Sequence, residues 1–237
     1  MQVQIAPTVR VIKVGTLRLQ PTETPGPLTL QCKTALGIGG GSTVTLVSGS
    51  RRLLVDTGFD FEEDTSPENR AHNARALLCA LQLASLSPED VNVVFITHWH
   101  RDHVGNLWLF PRAQWLVSQP LHARLNDGRF SAVADGEELM PGVHVMLSPG
   151  HTPDHASLVV MSTIAGLAAR IAVAGDAVLS HSTFAFGRLS LSGERHSDRA
   201  LALESMKRIA HSADLIVPGH GVPFASFRPD WLASQSP

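Results

Sequence analysis

The sequence predicts an α/β protein of four layers, αβ/βα, in which two β-sheets lie face to face and helices cover their outer faces. Two observations carry that expectation: a first series of strand patterns closed by a helix, and a second series closed by another. A third observation says where the function sits. Apolar strands in both halves end on histidine or aspartate. Periodicity alone leaves a single doubly wound sheet as the alternative.

The elements follow in order. "VRVIKVGTLRL", a stretch near "LTLQC", "STVTLVSGS" and "RRLLVDTG" read as strands, the last two joined as a hairpin through "SGSRR". "SPENRAHNARALLCALQLASL" reads as a helix capped by Ser66, with Pro67 in its first turn and Ala74, Leu77, Leu78 and Leu81 on one apolar face. Next come the buried strand "VNVVFI", a short helix "GNLWLF" and the strand "AQWLVS". The second half offers strands at "GVHVMLSPGH", "SLVVMST", "ARIAVAGDAVLS" and "ADLIVPGHG". A helix over "SDRALALESMKRIAHSA" starts near Ser197 or Asp198 and carries Lys207 and Arg208 towards its end, as the helix dipole favours.

The 237 residues show no break in composition and read as one domain over 1–237, long enough to bury a substantial core. With 19 basic and 21 acidic residues, gross charge recruits neither a nucleic-acid backbone nor an anionic membrane. "MQVQIAPTVRVIKVGTLRLQ" lacks the pattern of a signal peptide, and no apolar run reaches the roughly 20 residues of a membrane span. A cytoplasmic location is expected. Cys32 and Cys79 form no CxxC pair and are expected as core thiols. The chain has no tyrosine, so no phenol serves as a catalytic acid or oxyanion donor.

The chemistry-bearing residues recur at strand ends: His98, His100, Asp102 and His103 in "FITHWHRDH", His151 in "MLSPGH", Asp176 in "VAGD" and His220 in "IVPGH". His98 and His100 are two apart, so in an extended segment both imidazoles point to one side and can chelate a single ion. Asp102 and His103, on the turn that follows, can face a second. Metal one is expected on His98, His100 and His151, metal two on Asp102, His103 and His220, with Asp176 bridging. Burying so many imidazoles and carboxylates without a metal would be costly. Nitrogen and oxygen donors without sulfur favour zinc, with iron or manganese as alternatives.

These residues resemble the motif series of the metallo-β-lactamase superfamily: HxHxDH at 98–103, "PGHT" at His151, "GD" at Asp176 and "PGH" at His220. The resemblance covers most of the chain, from "LLVDTG" to "PGHGVPF". It implies the αββα sandwich of two mixed β-sheets and a dinuclear site. "HVGNLWLFPRAQWLVS" and "VPGHGVPF" further resemble a branch holding metallo-β-lactamase domain-containing protein 1 and glyoxalase II-like hydrolases. A hydroxide shared by two zinc ions is the expected nucleophile, since the metal lowers the water pKa to about 7, and Asp102 is expected to orient it.

The expected substrate is a carbonyl ester, lactone or thioester. The alternatives are RNA cleaved by a small endoribonuclease, promiscuous β-lactam hydrolysis and a non-catalytic metal-binding module. Asp176 argues against dedicated antibiotic hydrolysis, because β-lactamases of the HxHxDH type usually lack that bridging aspartate. The lactonases resemble the chain in "GHTPDHASL" but commonly place a tyrosine beside that aspartate.

Asp56 is expected either to orient a ligand histidine or to cap the turn at Gly58. His155 reads as a partner or rim group, and His181 as a substrate contact or a solvated loop residue. Trp99 and Trp108 are read as core by default, Trp99 being the better candidate for a pocket wall. Phe184 and Phe186, expected on an exposed loop, would line the substrate site or a homodimer contact. "GIGGGS" reads as a flexible or rim loop, since it lacks the ending of a P-loop.

Overall fold

Residue parity along the strands decides between one sheet and two. In β4 (Val93–Ile96), Val93 and Phe95 join a core with Val145, Leu158 and Val173, whereas Val94 and Ile96 join another with Leu77, Leu81 and Leu121. Successive side chains of a strand point to opposite faces, so this strand is covered by a second sheet on one side and by helices on the other. The computed structural model describes residues 6–16, 41–59, 66–189 and 196–227.

The first sheet runs β1 (Thr8–Lys13), β2 (Val44–Ser48), β3 (Arg52–Val55), β4, β5 (Gln114–Ser118) and β6 (Phe130–Val133). Its first two pairings are antiparallel and the other three parallel. The second sheet runs β12 (Phe224–Ala225), β11 (Leu215–Pro218), β10 (Leu167–Gly175), β9 (Ala156–Ile164), β8 (Val143–Leu147) and β7 (Glu138–Met140), with β10 and β11 parallel. Helices α1 (Pro67–Leu83) and α3 (Gln119–Leu125) cover the first sheet through Leu77, Leu81 and Leu121. Helices α4 (His181–Ala185) and α5 (Arg199–Ser212) cover the second through Phe184, Ala202, Met206 and Ile209. This is the four-layer αβ/βα arrangement.

The local signals act as their chemistry requires. Ser66 accepts from the Asn69 amide at the start of α1 behind Pro67, and Asp198 accepts from the Ala200 and Leu201 amides at the start of α5. The β2–β3 hairpin closes with Ser48 opposite Arg52.

Several expectations need correction. The strand near "LTLQC" and Cys32 lie outside the described residues. Leu78 and Cys79 sit on the exposed face of α1, one and two positions past the buried Leu77, so Cys79 is not a core thiol. "GNLWLF" holds a three-residue 3-10 turn that leaves Trp108 exposed under the Arg70 guanidinium, 4.8 Å from the ring centroid. Phe184 is fully buried in α4, whereas Phe186 is exposed. The sequence reading missed α3, β6 and β7, short elements with too few residues to show a period. Among the described residues no helix is long and apolar enough to cross a membrane.

Candidate metal centre

The site forms where the carboxyl ends of β3, β4, β10 and β11 meet. Two backbone hydrogen bonds tie the sheets together at this edge: Ala156 N to the Thr97 carbonyl (2.9 Å) and Thr43 N to the Gly219 carbonyl (2.7 Å). Beyond β4 the chain turns into the one-turn helix α2 (Arg101–Val104), which carries Asp102 and His103. The Phe59 amide and the Ser42 hydroxyl hold the Asp102 carbonyl, and the Thr57 amide and hydroxyl hold that of His103. The last residues of the "GIGGGS" segment therefore belong to the scaffold of the site.

Two groups of side chains converge here. His98, His100, His151 and Asp176 form one, and Asp102, His103 and His220 the other; within each, the donor atoms lie within 4.8 Å of one another. Asp176 presents a different oxygen to each. Its Oδ2 is 3.2 Å from His151 Nε2 and 3.7 Å from His98 Nε2, while Oδ1 is 3.2 Å from His103 Nε2 and 3.4 Å from His220 Nε2. His100 Nδ1 is 3.0 Å from His151 Nε2. Asp102 Oδ2 lies 3.5 Å from His103 Nε2 and 3.4 Å from His220 Nε2.

The outer face of each imidazole decides which nitrogen looks inward. Among the described residues His220 Nδ1 meets two acceptors, the carbonyls of Gly41 (3.1 Å) and Thr16 (3.2 Å). His103 Nδ1 lies 2.7 Å from Asp56 Oδ2. The Thr97 hydroxyl donates to Asp56 Oδ2 (2.9 Å), which leaves its lone pair for His98 Nδ1 at 3.1 Å. Each of the three rings therefore carries its outer hydrogen on Nδ1 and turns Nε2 to the centre. Asp56 bonds to His103 and to Thr97, both through the Thr97 amide (2.9 Å) and hydroxyl.

Burial and charge divide the groups further. Burial pushes His98 well below the usual histidine range, with His103 adding to the fall, and takes His151 down to about 4. For His103 burial opposes the charge, but Asp102, Asp176 and Asp56 outweigh it and hold the imidazolium well above that range. At His220 burial is likewise overcome, chiefly by Asp176, and the pKa rises to about 9. Burial works against ionising Asp176, yet His103, His220 and His151 keep it well below the carboxylate range. His98 and His151 thus offer neutral nitrogens, while His103 and His220 hold protons where a cation would stand.

The residues fit a divalent cation. His98 Nε2, His103 Nε2 and Asp176 Oδ1 are buried, point into the cluster and have no hydrogen-bond partner among the described residues. Such atoms are costly to bury unless something binds them. Two motif glycines make the convergence sterically feasible. A Cβ on Gly219 would stand 2.0 Å from Asp176 Oδ1, and one on Gly175, where φ is +51°, would stand 2.9 Å from His155 Nε2 and from Thr97.

Residues 37–220 match the family model described as the metallo-beta-lactamase superfamily. The chain belongs to the metallo-β-lactamase superfamily. Membership makes it an enzyme of the metal-dependent hydrolase class. The human metallo-beta-lactamase domain-containing protein 1 is 34% identical over 225 residues, which is 90% of this chain and 74% of the relative. An N-acyl homoserine lactonase of Bacillus cereus is 25% identical over 188 residues, 66% of this chain and 70% of its own. The fold is shared with a solved N-acyl homoserine lactone hydrolase, at a TM-score of 0.60 and 19% identity over 91% of this chain and 93% of that one.

The remaining candidates separate within this metallo-β-lactamase frame. His155 lies behind Asp176, accepting from its amide at 3.0 Å. His181 begins α4, exposed, with its ring against Phe224 (5.0 Å) and Phe227 (5.8 Å). Trp99 takes the core position read for it by default, packing edge-on against Phe130 at 5.4 Å on the helix-covered side of the first sheet, and the pocket-wall alternative falls away. The sequence reading missed Thr97, which orients His98, and His196, whose ring stands 5.2 Å from that of His151 while its Nε2 lies 2.7 Å from the Leu189 carbonyl. Thr97 could have been found as the residue opening "THWH", but nothing around His196 marks it.

Proposed function

We propose that this hydrolase holds two zinc ions, one in each group, and cleaves a carbonyl ester, lactone or thioester by adding water to the acyl carbon. The observation that carries the reading is Asp176, whose Oδ2 faces one group while its Oδ1 faces the other. A shared carboxylate suits ions about 3.5–4 Å apart, the spacing of two-metal hydrolytic sites. The lactonase named among the relatives supports the acyl substrate class.

Bound divalent ions supply acidity to a water and polarise the substrate carbonyl oxygen. His98, His100 and His151 would hold the first, Asp102, His103 and His220 the second, and Asp176 would serve both. Asp102 has a further task. One of its oxygens faces the rings of His103 and His220, and the carboxylate can accept a hydrogen bond from the attacking water and orient it towards the acyl carbon.

Turnover by the zinc-loaded protein on a lactone, a thioester, a cephalosporin and a single-stranded RNA tests the reading. The expected result is carbonyl turnover lost in Asp102→Ala, with His100→Ala and Asp176→Ala losing metal and activity together. RNA cleavage alone would replace the reading with a phosphodiesterase, and a cephalosporin as sole substrate with a β-lactamase. Full turnover by the chelated Asp176→Ala variant would overturn the metal mechanism.

A further inference from the structure

Asp176 follows directly on Gly175, where β10 ends in a left-handed kink of φ +51°. Glycine is the residue least able to hold one conformation, so something else must fix the direction of the next side chain. Three buried side chains close a ring around this kink. The Asp176 amide donates to His155 Nε2 (3.0 Å), His155 Nδ1 lies 2.8 Å from Ser148 Oγ, Ser148 Oγ lies 2.7 Å from Ser157 Oγ, and the Ser157 hydroxyl donates to the Ala174 carbonyl (2.9 Å).

The two ends of this chain determine every proton in it. An amide only donates and a carbonyl only accepts. His155 Nε2 must therefore be bare and Nδ1 must carry the hydrogen; Ser148 accepts from the ring and donates to Ser157, which donates to Ala174. A hydrogen on Nε2 would face the Asp176 amide donor to donor. The ring of bonds starts at residue 176 and returns to residue 174, spanning Gly175 from both sides. His155 and Ser157 are 0% exposed and Ser148 1%, so water does not compete for these bonds.

We propose that His155 is a positioning residue which, through Ser148 and Ser157, locks the Gly175 kink so that Asp176 turns one oxygen to each ligand group. The proposal rests on the reading of Asp176 as a ligand shared by two ions. It explains why "SPGH" and "GHTPDHASL" combine a site histidine with a serine that binds nothing at the centre. The relay fills the same space that forbids a Cβ at Gly175, where His155 Nε2 would lie 2.9 Å away.

The test uses the full chain, wild type and the variants Ser148→Ala and Ser157→Ala. Ring-nitrogen NMR on the metal-free wild type reads the tautomer, amide hydrogen exchange reads the kink, and titration with cobalt(II) alone reads the ligand groups. The expected results are an Nδ1–H tautomer at His155 and faster exchange of the Asp176 amide in the variants, with the amides of β4 unchanged. The weaker cobalt ion should bind about 10–100-fold less tightly in the variants, the loss usual for an outer partner. An Nε2–H tautomer in the wild type overturns the proposal, as does unchanged cobalt binding in whichever serine variants fold. Uptake of a single cobalt ion by the wild type would instead overturn the two-ion reading, leaving the relay to stand or fall on its tautomer and exchange.

Discussion

Replacing Asp56 by asparagine tests whether an outer carboxylate sets metal affinity through the tautomer of His103. Asp56 is 2% exposed and accepts three hydrogen bonds, from the Thr97 amide, the Thr97 hydroxyl and His103 Nδ1. Its φ of +60° is a conformation asparagine tolerates, so Asp56→Asn keeps the chain path. The new NH2 has two places to go. Against the Thr97 amide it would set two donors face to face, so it must take the side of Oδ2. There it donates to His103 Nδ1 and confines the ring hydrogen to Nε2, removing the lone pair that Nε2 would offer a cation once the imidazolium gives up a proton. The lost hydrogen bond to a charged group is worth about 1.5–3 kcal/mol. Expressed as affinity, that matches the roughly 10–100-fold loss seen when an outer partner of a ligand is removed. We expect a folded variant that takes its first zinc as the wild type does and binds its second about 10–100-fold more weakly. Chelator-competition titration measures both affinities, and ring-nitrogen NMR reports the tautomer. Wild-type affinity for both ions in a variant with a flipped His103 would refute the reasoning.

Metal loading should also depend on pH, differently in the two groups. Cation binding to Asp102, His103 and His220 must displace protons from two imidazoles of raised pKa, His220's at about 9. Below about 9 its affinity should fall as pH falls, by up to about 100-fold per unit where both protons are displaced. At neutral pH His98 and His151 have none to give up, so the first group should respond less; equal proton release at both steps of a calorimetric zinc titration would refute this. In the metal-free protein, His220 contributes stability that is present below its unfolded value of about 6.5 and lost as pH rises through about 9, while His151 destabilises the fold as pH falls from about 6.5 towards 4. Gly219→Ala should push its Cβ into Asp176 Oδ1, costing about 1–3 kcal/mol of overpacking and weakening both ions together. Thermal unfolding and zinc content check it, and a variant with lowered Tm but full zinc would refute the steric argument.

The inner residues of the site were legible because their chemistry is rare: seven histidines and aspartates at four strand ends have few uses other than binding a cation. The outer residues were not. Thr43 links the first sheet to Gly221 across 178 positions, and Ser148 and Ser157 are small hydroxyl residues of a kind found in any strand. Their roles depend on which strands become neighbours, which no local pattern records. The layer order was legible once two faces of one strand could be assigned. The errors fell on helix faces one residue wide, as at Leu78 and Cys79, and on aromatic residues such as Trp108 and Phe184, whose burial depends on distant partners.

That division bears on what the HxHxDH motif can specify. Free imidazoles have two nitrogens and turn either one inward with little preference, so six positions of sequence do not by themselves make a metal site. Here Nε2 faces the centre in His98, His103 and His220 because their other nitrogens meet the Thr97 hydroxyl, the Asp56 carboxylate and two main-chain carbonyls. The one inner carboxylate shared by both groups is held by its own backbone amide, through His155. A chain with every inner ligand but without Asp56 and His155 would keep the motif and lose the geometry. Adding an aspartate and a histidine at those two places in such a chain should raise its metal affinity without touching a single ligand.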